Sequence, residues 1–210
     1  MKNKRPIILI TEGILLFLGI PLLFYWQLVP LPKIGALLLV AGYCGYQLWR
    51  DAEFGRSLLV GSKNSDTSKH ILTRFLLVCG ALVALGWIIQ PEQFFAFPAE
   101  RPFLWMVVMV LYPLLSALPQ EFIYRTFFFH RYDSLTSLKY STIILSALAF
   151  SFLHIVYDNW WAVGLSFVAG LLFGSTYART KSLFWVTVEH VIYGWLIFTL
   201  GFGTYFYEPF

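Results

Sequence analysis

An all-α fold, a polytopic bundle of transmembrane helices, follows from three observations. Apolar residues make up 59% of the chain, charged residues only 12%, and the apolar residues are gathered into long runs separated by short polar stretches. A soluble domain carries about 25% charged residues, whereas a helix crosses the hydrocarbon of a bilayer with about 20 mostly apolar ones.

The first run, at roughly residues 7–26, follows Lys2, Lys4 and Arg5 in the manner of a secretory signal. It is longer than a signal core and no small-residue cleavage site follows it, so it is expected to be retained as a helix. Further runs at roughly 32–49, 72–90, 103–129, 138–157, 161–178 and 183–201 bring the expected number of spans to about seven. The fourth run is long enough to leave the bilayer or to bend near Pro113 or Pro119. In the sixth, Ser166, Gly170 and Gly174 give a face for close backbone approach.

Lys and Arg collect in cytoplasmic loops, and their distribution gives the orientation. With the N-terminus inside, the inner segments hold Lys2, Lys4, Arg5, Arg50, Arg56, Lys63, Lys69, Arg74, Arg131, Lys139, Arg179 and Lys181, and the outer ones only Lys33 and Arg101. An N-in, C-out chain with its N-terminus in the cytoplasm, in the inner (plasma) membrane of a bacterium, is therefore expected. The polar stretch from Arg50 to Lys69 reads as a flexible cytoplasmic loop. It divides an N-terminal helix pair with its loop (residues 1–70) from a helical core (71–210).

The net charge of +4 does not point to nucleic acid, because the basic residues lie between apolar runs rather than on one stripe or arm. Cys44 and Cys79 sit inside apolar runs without metal-ligand spacing and read as small apolar residues.

Ionisable groups inside spanning helices cost at least a few kcal/mol each, so each marks a functional site until a structural role is found. Glu12, Glu121, Arg125, His154, Glu189 and His190 are such groups. Glu121 and Arg125, at i,i+4, share a helix face with the carboxylate N-terminal to the cation, and the bland reading is a self-neutralising pair. Phe150 lies one turn before His154 and can wall a pocket around the imidazole, although a lone intramembrane His is more often a helix-to-helix hydrogen bonder. Glu12 is read first as a partner for a distant helix, and His70 and His130 as interfacial groups.

Three stretches resemble the membrane-embedded CAAX prenyl endopeptidase and bacteriocin-processing family, often called CPBP or Abi, whose pattern is EExxxR, FxxxH and then HxxxN or HxxxD. Gln120 to Arg125 (QEFIYR) matches the first at Glu121 and Arg125, Phe150 to His154 (FSFLH) matches the second, and the third is matched at His190 with Gly194 four residues on. The resemblance covers about residues 100–200 and implies an intramembrane peptidase acting on a membrane protein or a lipidated peptide.

Two departures matter. The family's first Glu is usually assigned as the base that activates water, and Gln120 cannot ionise. The base is then Glu121, or Glu189 in its place, unless the chain is a non-catalytic relative. The missing Asn or Asp removes a polar group from the substrate pocket, where Tyr193 or Asn159 can replace it. Peptide hydrolysis needs a water, a base and donors for the oxyanion. Glu121 or Glu189 with His154 is expected to activate the water, His190 to stabilise the tetrahedral oxygen, and Arg125 to hold Glu121 ionised. Zinc on Glu121, His154 and His190 is the alternative. The HExxH spacing that sets two imidazoles on one helix face is absent, so a metal-free, glutamate-type site without a cofactor is favoured.

One step strains the expected geometry. At 1.5 Å per residue, Glu121 and His190 both lie about 13 Å from the inner ends of their helices and His154 about 22 Å, so the fifth helix must start below the interface or tilt. Two other function classes stand beside the peptidase. One is a weakened or inactive family member that binds peptide or confers immunity, for which Gln120 and Gly194 argue. The other is a proton-relaying transporter, against which the lack of an internal repeat argues.

Overall fold

The computed structural model describes residues 6–55, 59, 65–135 and 140–207. Residues 56–58 and 60–64 of the expected cytoplasmic loop, Arg56 and Lys63 among them, lie outside the described residues, as do Lys2, Lys4, Arg5 and Lys139. The structure is 87% helical, and among the described residues there is no strand. Every apolar run carries a helix: α1 Pro6–Tyr25, α2 Lys33–Trp49, α3 Ser65–Ile89, α4 Pro102–Leu135, α5 Ser141–Tyr157, α6 Trp160–Thr180 and α7 Leu183–Thr199. Of these, α1, α4, α6 and the Ser68–Ile89 part of α3 are long and apolar enough to cross a membrane, and α5 and α7 are shorter apolar helices. The chain is thus an all-α membrane helix bundle. α3 begins at Ser65, seven residues before the apolar run predicts, because a polar turn outside the hydrocarbon can be helical without being apolar.

Large apolar side chains such as Ile7, Trp49, Leu77, Ile88 and Phe103 are exposed, as lipid-facing residues are. The inner core gathers Leu9 and Phe17 of α1, Cys44 and Leu48 of α2, Phe127 and Phe128 of α4, Phe150 of α5, Phe173 and Tyr177 of α6, and Val186 of α7. Cys44 and Cys79 are free thiols.

Two prolines shape α4. Pro113 has no N–H for the carbonyl of Met109, and that carbonyl instead accepts the indole N–H of Trp195 on α7 at 3.0 Å. A wide π-helical turn starts at Pro113 and a second runs from Phe122 to Phe127. Such turns concentrate at functional sites, and the second carries Arg125.

Close packing joins α5 to α6. A Cβ at Gly170 meets Ala147 Cα at 3.0 Å, and one at Gly174 meets Ile143 Cγ2 at 3.0 Å, so the small-residue face does bring the two backbones together.

Polar contacts bind helix ends expected on the same side. Glu12 of α1 accepts from Nε and Nη2 of Arg131 on α4, both at 2.8 Å, and from the hydroxyl of Tyr43 on α2 at 2.7 Å. Its partner is thus a distant helix, as expected. Lys33 at the start of α2 donates to the carbonyl of Val156 at the end of α5 at 3.0 Å, and Arg179 contacts His70 at 3.0 Å. His130 meets Asp51 at 2.9 Å. Burial pushes the Asp51 carboxyl up, but hydrogen bonds from His130 and from the Glu53 amide outweigh it and hold the group below the ordinary carboxylate range.

Candidate active site

Glu121 and Arg125 lie on α4 with no exposed surface, and Glu189 on α7 is equally enclosed. Glu121 has two partners. Its Oε1 lies 2.7 Å from His190 Nδ1 on α7, and its Oε2 lies 3.2 Å from Arg125 Nε as an ion pair rather than a directed hydrogen bond. Arg125 is held by the Ser146 hydroxyl at 2.6 Å and the Tyr124 carbonyl at 3.2 Å, and lies over the rings of Phe150 and Phe173 at 5.1 and 5.9 Å. Aromatic faces attract a desolvated guanidinium, so this cation is held in a place that excludes water, with hydrogen bonds made through Nη1. The i,i+4 pair is real, and it is not closed on itself, because half of the carboxylate reaches across to another helix.

His190 is clamped as well. Its ring stacks on Phe173 at 4.6 Å between centroids and meets the edge of Phe150 at 5.6 Å. His154, at the end of the regular part of α5, contacts the same Phe150 at 4.9 Å, and its Nδ1 lies 2.8 Å from the Phe150 carbonyl. A carbonyl can only accept, so Nδ1 carries the proton and Nε2 keeps the lone pair. Phe150 therefore contacts both imidazoles.

A cavity of about 640 Å³ opens among α3, α4, α5, α6 and α7. Its wall is mainly apolar, including Leu82, Leu85, Val107, Leu111, Leu165, Leu172 and Ile197, and its polar groups include Tyr112, Ser116, Gln120, His154, Ser166, His190 and Tyr193. Gln120 is buried, its amide N–H₂ donates to Ser116 Oγ at 2.8 Å, and its carbonyl oxygen has no partner among the described residues. Thus Gln120, His154 and His190 line the cavity, while Glu121, Arg125 and Glu189 stand behind its wall.

Glu189 belongs to a separate cluster. It accepts from the Tyr193 hydroxyl at 3.0 Å and lies 3.4 Å from Arg74 Nη1 on α3. Arg74 also donates to the Leu172 carbonyl, Thr176 Oγ1 and Ser175 Oγ at 3.1, 2.9 and 2.8 Å. By sequence Arg74 is only one of the inner-loop cations; its position two turns into a helix otherwise apolar beyond it is the signal that it points inward. Tyr193 faces the cavity, but its hydroxyl proton is committed to Glu189. Asn159 is not in the cavity wall. Its carbonyl caps α6 by accepting the Ala162 amide at 2.8 Å and its N–H₂ donates to the Tyr205 carbonyl at 2.8 Å, an N-cap role. Neither residue has a free polar group to replace the side chain missing at Gly194.

Of the three residues expected as zinc ligands, Glu121 meets His190 at Nδ1, and His154 Nδ1 lies against the Phe150 carbonyl. Among the described residues, no three His, Cys, Asp or Glu side chains are grouped to hold a metal ion.

Comparisons with curated proteins and with solved structures each gave no significant match. The family model described as Type II CAAX prenyl endopeptidase Rce1-like matches residues 102–196, a segment that begins with α4, ends within α7 and contains Gln120, Glu121, Arg125, His154 and His190. Through this segment the chain is similar to the Rce1-like family of CAAX-protease-like membrane proteins.

Proposed function

We propose that this chain is an intramembrane endopeptidase that hydrolyses a peptide bond in a membrane-associated or lipidated substrate, using water activated by His190 with Glu121 behind it. The observation that carries the reading is the 2.7 Å contact between His190 Nδ1 and a fully buried carboxylate on another helix, with the same imidazole in the wall of a cavity. With Nδ1–H donated to Glu121, the ring offers its Nε2 lone pair, as His154 does. A water that donates its two protons to these nitrogens attacks the scissile carbonyl carbon through an oxygen lone pair, and one proton passes to His190 Nε2. Glu121 offsets the imidazolium charge, in the manner of the acid in a Ser-His-Asp triad. The C–N bond then breaks and the proton goes to the leaving amine.

In this scheme Glu121 acts through His190 instead of on the water, and His190 is the base instead of the oxyanion donor. Both changes from the sequence expectation follow from the carboxylate standing behind the cavity wall. Arg125 holds Glu121 in place, and Glu189 with Arg74 braces α7 against α3 and α6. Metal-free chemistry is part of this reading, supported by the direct contact of Glu121 with His190 Nδ1. The apolar wall suits a transmembrane or lipid-modified peptide entering from the bilayer. Residues 71–210 supply the site and 1–70 buttress it. The setting we infer is the plasma membrane of a bacterium with the N-terminus in the cytoplasm, supported by the basic residues.

A second reading, a peptide-binding or immunity protein, is favoured by one observation: the residue facing the cavity beside the histidines is Gln120, which cannot take a proton. Cleavage of a quenched fluorogenic transmembrane peptide by protein reconstituted in vesicles separates the two. The parent is expected to cleave, and Glu121→Gln, His154→Ala and His190→Ala each to lose at least about 100-fold while remaining folded. Normal cleavage by all three removes the enzymatic reading. Faster cleavage by Gln120→Glu marks a weakened enzyme, whereas peptide binding without cleavage by parent and Gln120→Glu favours the second reading.

A further inference from the structure

The hydroxyl of Tyr112 is the polar group nearest to the place where sequence and motif part, at Gly194. Gly194 lies one helical turn beyond His190 on α7 and lines the cavity. A Cβ built there collides with Tyr112 Cε1, Cζ and the hydroxyl oxygen, so the phenol of α4 fills the volume that a side chain at position 194 would take. The ring is held by edge contacts with His190 at 5.9 Å and Phe198 at 5.3 Å. Tyr112 itself lines the cavity, and its hydroxyl has no hydrogen-bond partner among the described residues. The neighbouring phenol of Tyr193, by contrast, has its proton committed to Glu189. Acyl transfer needs a preset donor where charge develops on the carbonyl oxygen.

We propose that Tyr112 is a catalytic residue whose O–H donates to the oxyanion formed when water adds to the substrate carbonyl beside His190, and that Gly194 is the vacancy that lets the phenol occupy that position. This rests on the peptidase reading above. The carbonyl π pair moves to oxygen as the water's O–C bond forms, Tyr112 donates a hydrogen bond without losing its proton, and the pair returns when the C–N bond breaks.

The test is steady-state cleavage of the transmembrane peptide by vesicle-reconstituted parent, Tyr112→Phe, Tyr112→Ala and the double variant Tyr112→Ala with Gly194→Asn. Tyr112→Phe keeps the packing and is expected to lower kcat about 100-fold with KM within about twofold, since the donor acts on the transition state. The double variant, in which an amide enters the emptied volume, is expected to recover at least tenfold over Tyr112→Ala alone. Parental kcat in Tyr112→Phe, with His190→Ala inactive, overturns the role of Tyr112 and leaves the peptidase standing. A parent that does not cleave, or His190→Ala cleaving like the parent, overturns both. A Tyr112→Phe effect confined to KM makes the hydroxyl a substrate-binding group and also overturns the proposal.

Discussion

The same residue type takes opposite roles according to what surrounds it. Arg125 and Arg74 are both cations within apolar helices, yet Arg125 could be singled out from its i,i+4 spacing to Glu121, whereas Arg74 lies close enough to a polar loop to pass for a topology marker. Its value comes from three acceptors on α6 and one carboxylate on α7, none of them near it in sequence. Removing one member of a buried polar cluster leaves the rest desolvated and unpaired. Arg74→Met is therefore expected to lower stability by about 3 kcal/mol, and Glu189→Gln in that background to recover part of the loss. Thermal unfolding of purified protein in detergent, followed by circular dichroism, reads both; a double variant no better than the single places the effect in the α6 bonds instead. The ionisable residues of the site were legible because burying charge is costly, which makes Glu121, Arg125, His154 and His190 conspicuous in an apolar run. Their pairing was not legible, since nothing local states that His190, rather than water or His154, takes the free half of Glu121.

At the scale of the helix, apolar run length located all of α1 to α7, and the errors lie at polar ends such as Ser65, where hydropathy is blind to helical turns beyond the hydrocarbon. The small-residue series on α6 was read correctly as a packing face because it repeats every four residues, and a helix places such positions on one side. The structure adds the partner and the tolerance. Gly170 already brings a hypothetical Cβ to 3.0 Å from the Ala147 Cα, so Gly170→Val must push α5 and α6 apart, and a loss of about 2 kcal/mol is expected. Gly164 on the same helix has open space, and Gly164→Ala is expected to be neutral or slightly stabilising. Melting temperatures of the two variants check this pair; equal effects would mean that the α5 to α6 contact is not tight. The π-helical turns of α4 had only Pro113 and Pro119 as sequence signals. Proline tells that a hydrogen bond is missing, but whether the helix kinks or widens depends on what takes the freed carbonyl, here Trp195.

Across the whole molecule, contacts between helix ends follow the partition of basic residues: Glu12 meets Arg131, His70 meets Arg179, and Lys33 meets the end of α5. An up-and-down bundle with the N-terminus inside places Glu53 in the cytoplasm and Glu92 outside. In a chain with Cys44→Ala and Cys79→Ala, a membrane-impermeant maleimide is expected to label Glu92→Cys on intact cells and Glu53→Cys only after permeabilisation. The reverse pattern inverts the orientation, and labelling of both from outside changes the number of crossings between them.

The sequence by itself determined the solvent, the helices and the buried ionisable residues, because lipid penalises unpaired charge and exposed backbone so heavily that exceptions stand out along a single chain. Tertiary structure decided which groups touch: that Glu121 backs His190, that Gln120 instead of a carboxylate faces the cavity, that Asn159 and Tyr193 are already spent, and that Tyr112 occupies the space left by Gly194. Those facts depend on the relative rotation and depth of helices far apart in the chain, which are set by how their surfaces interlock and leave no local trace in composition or spacing.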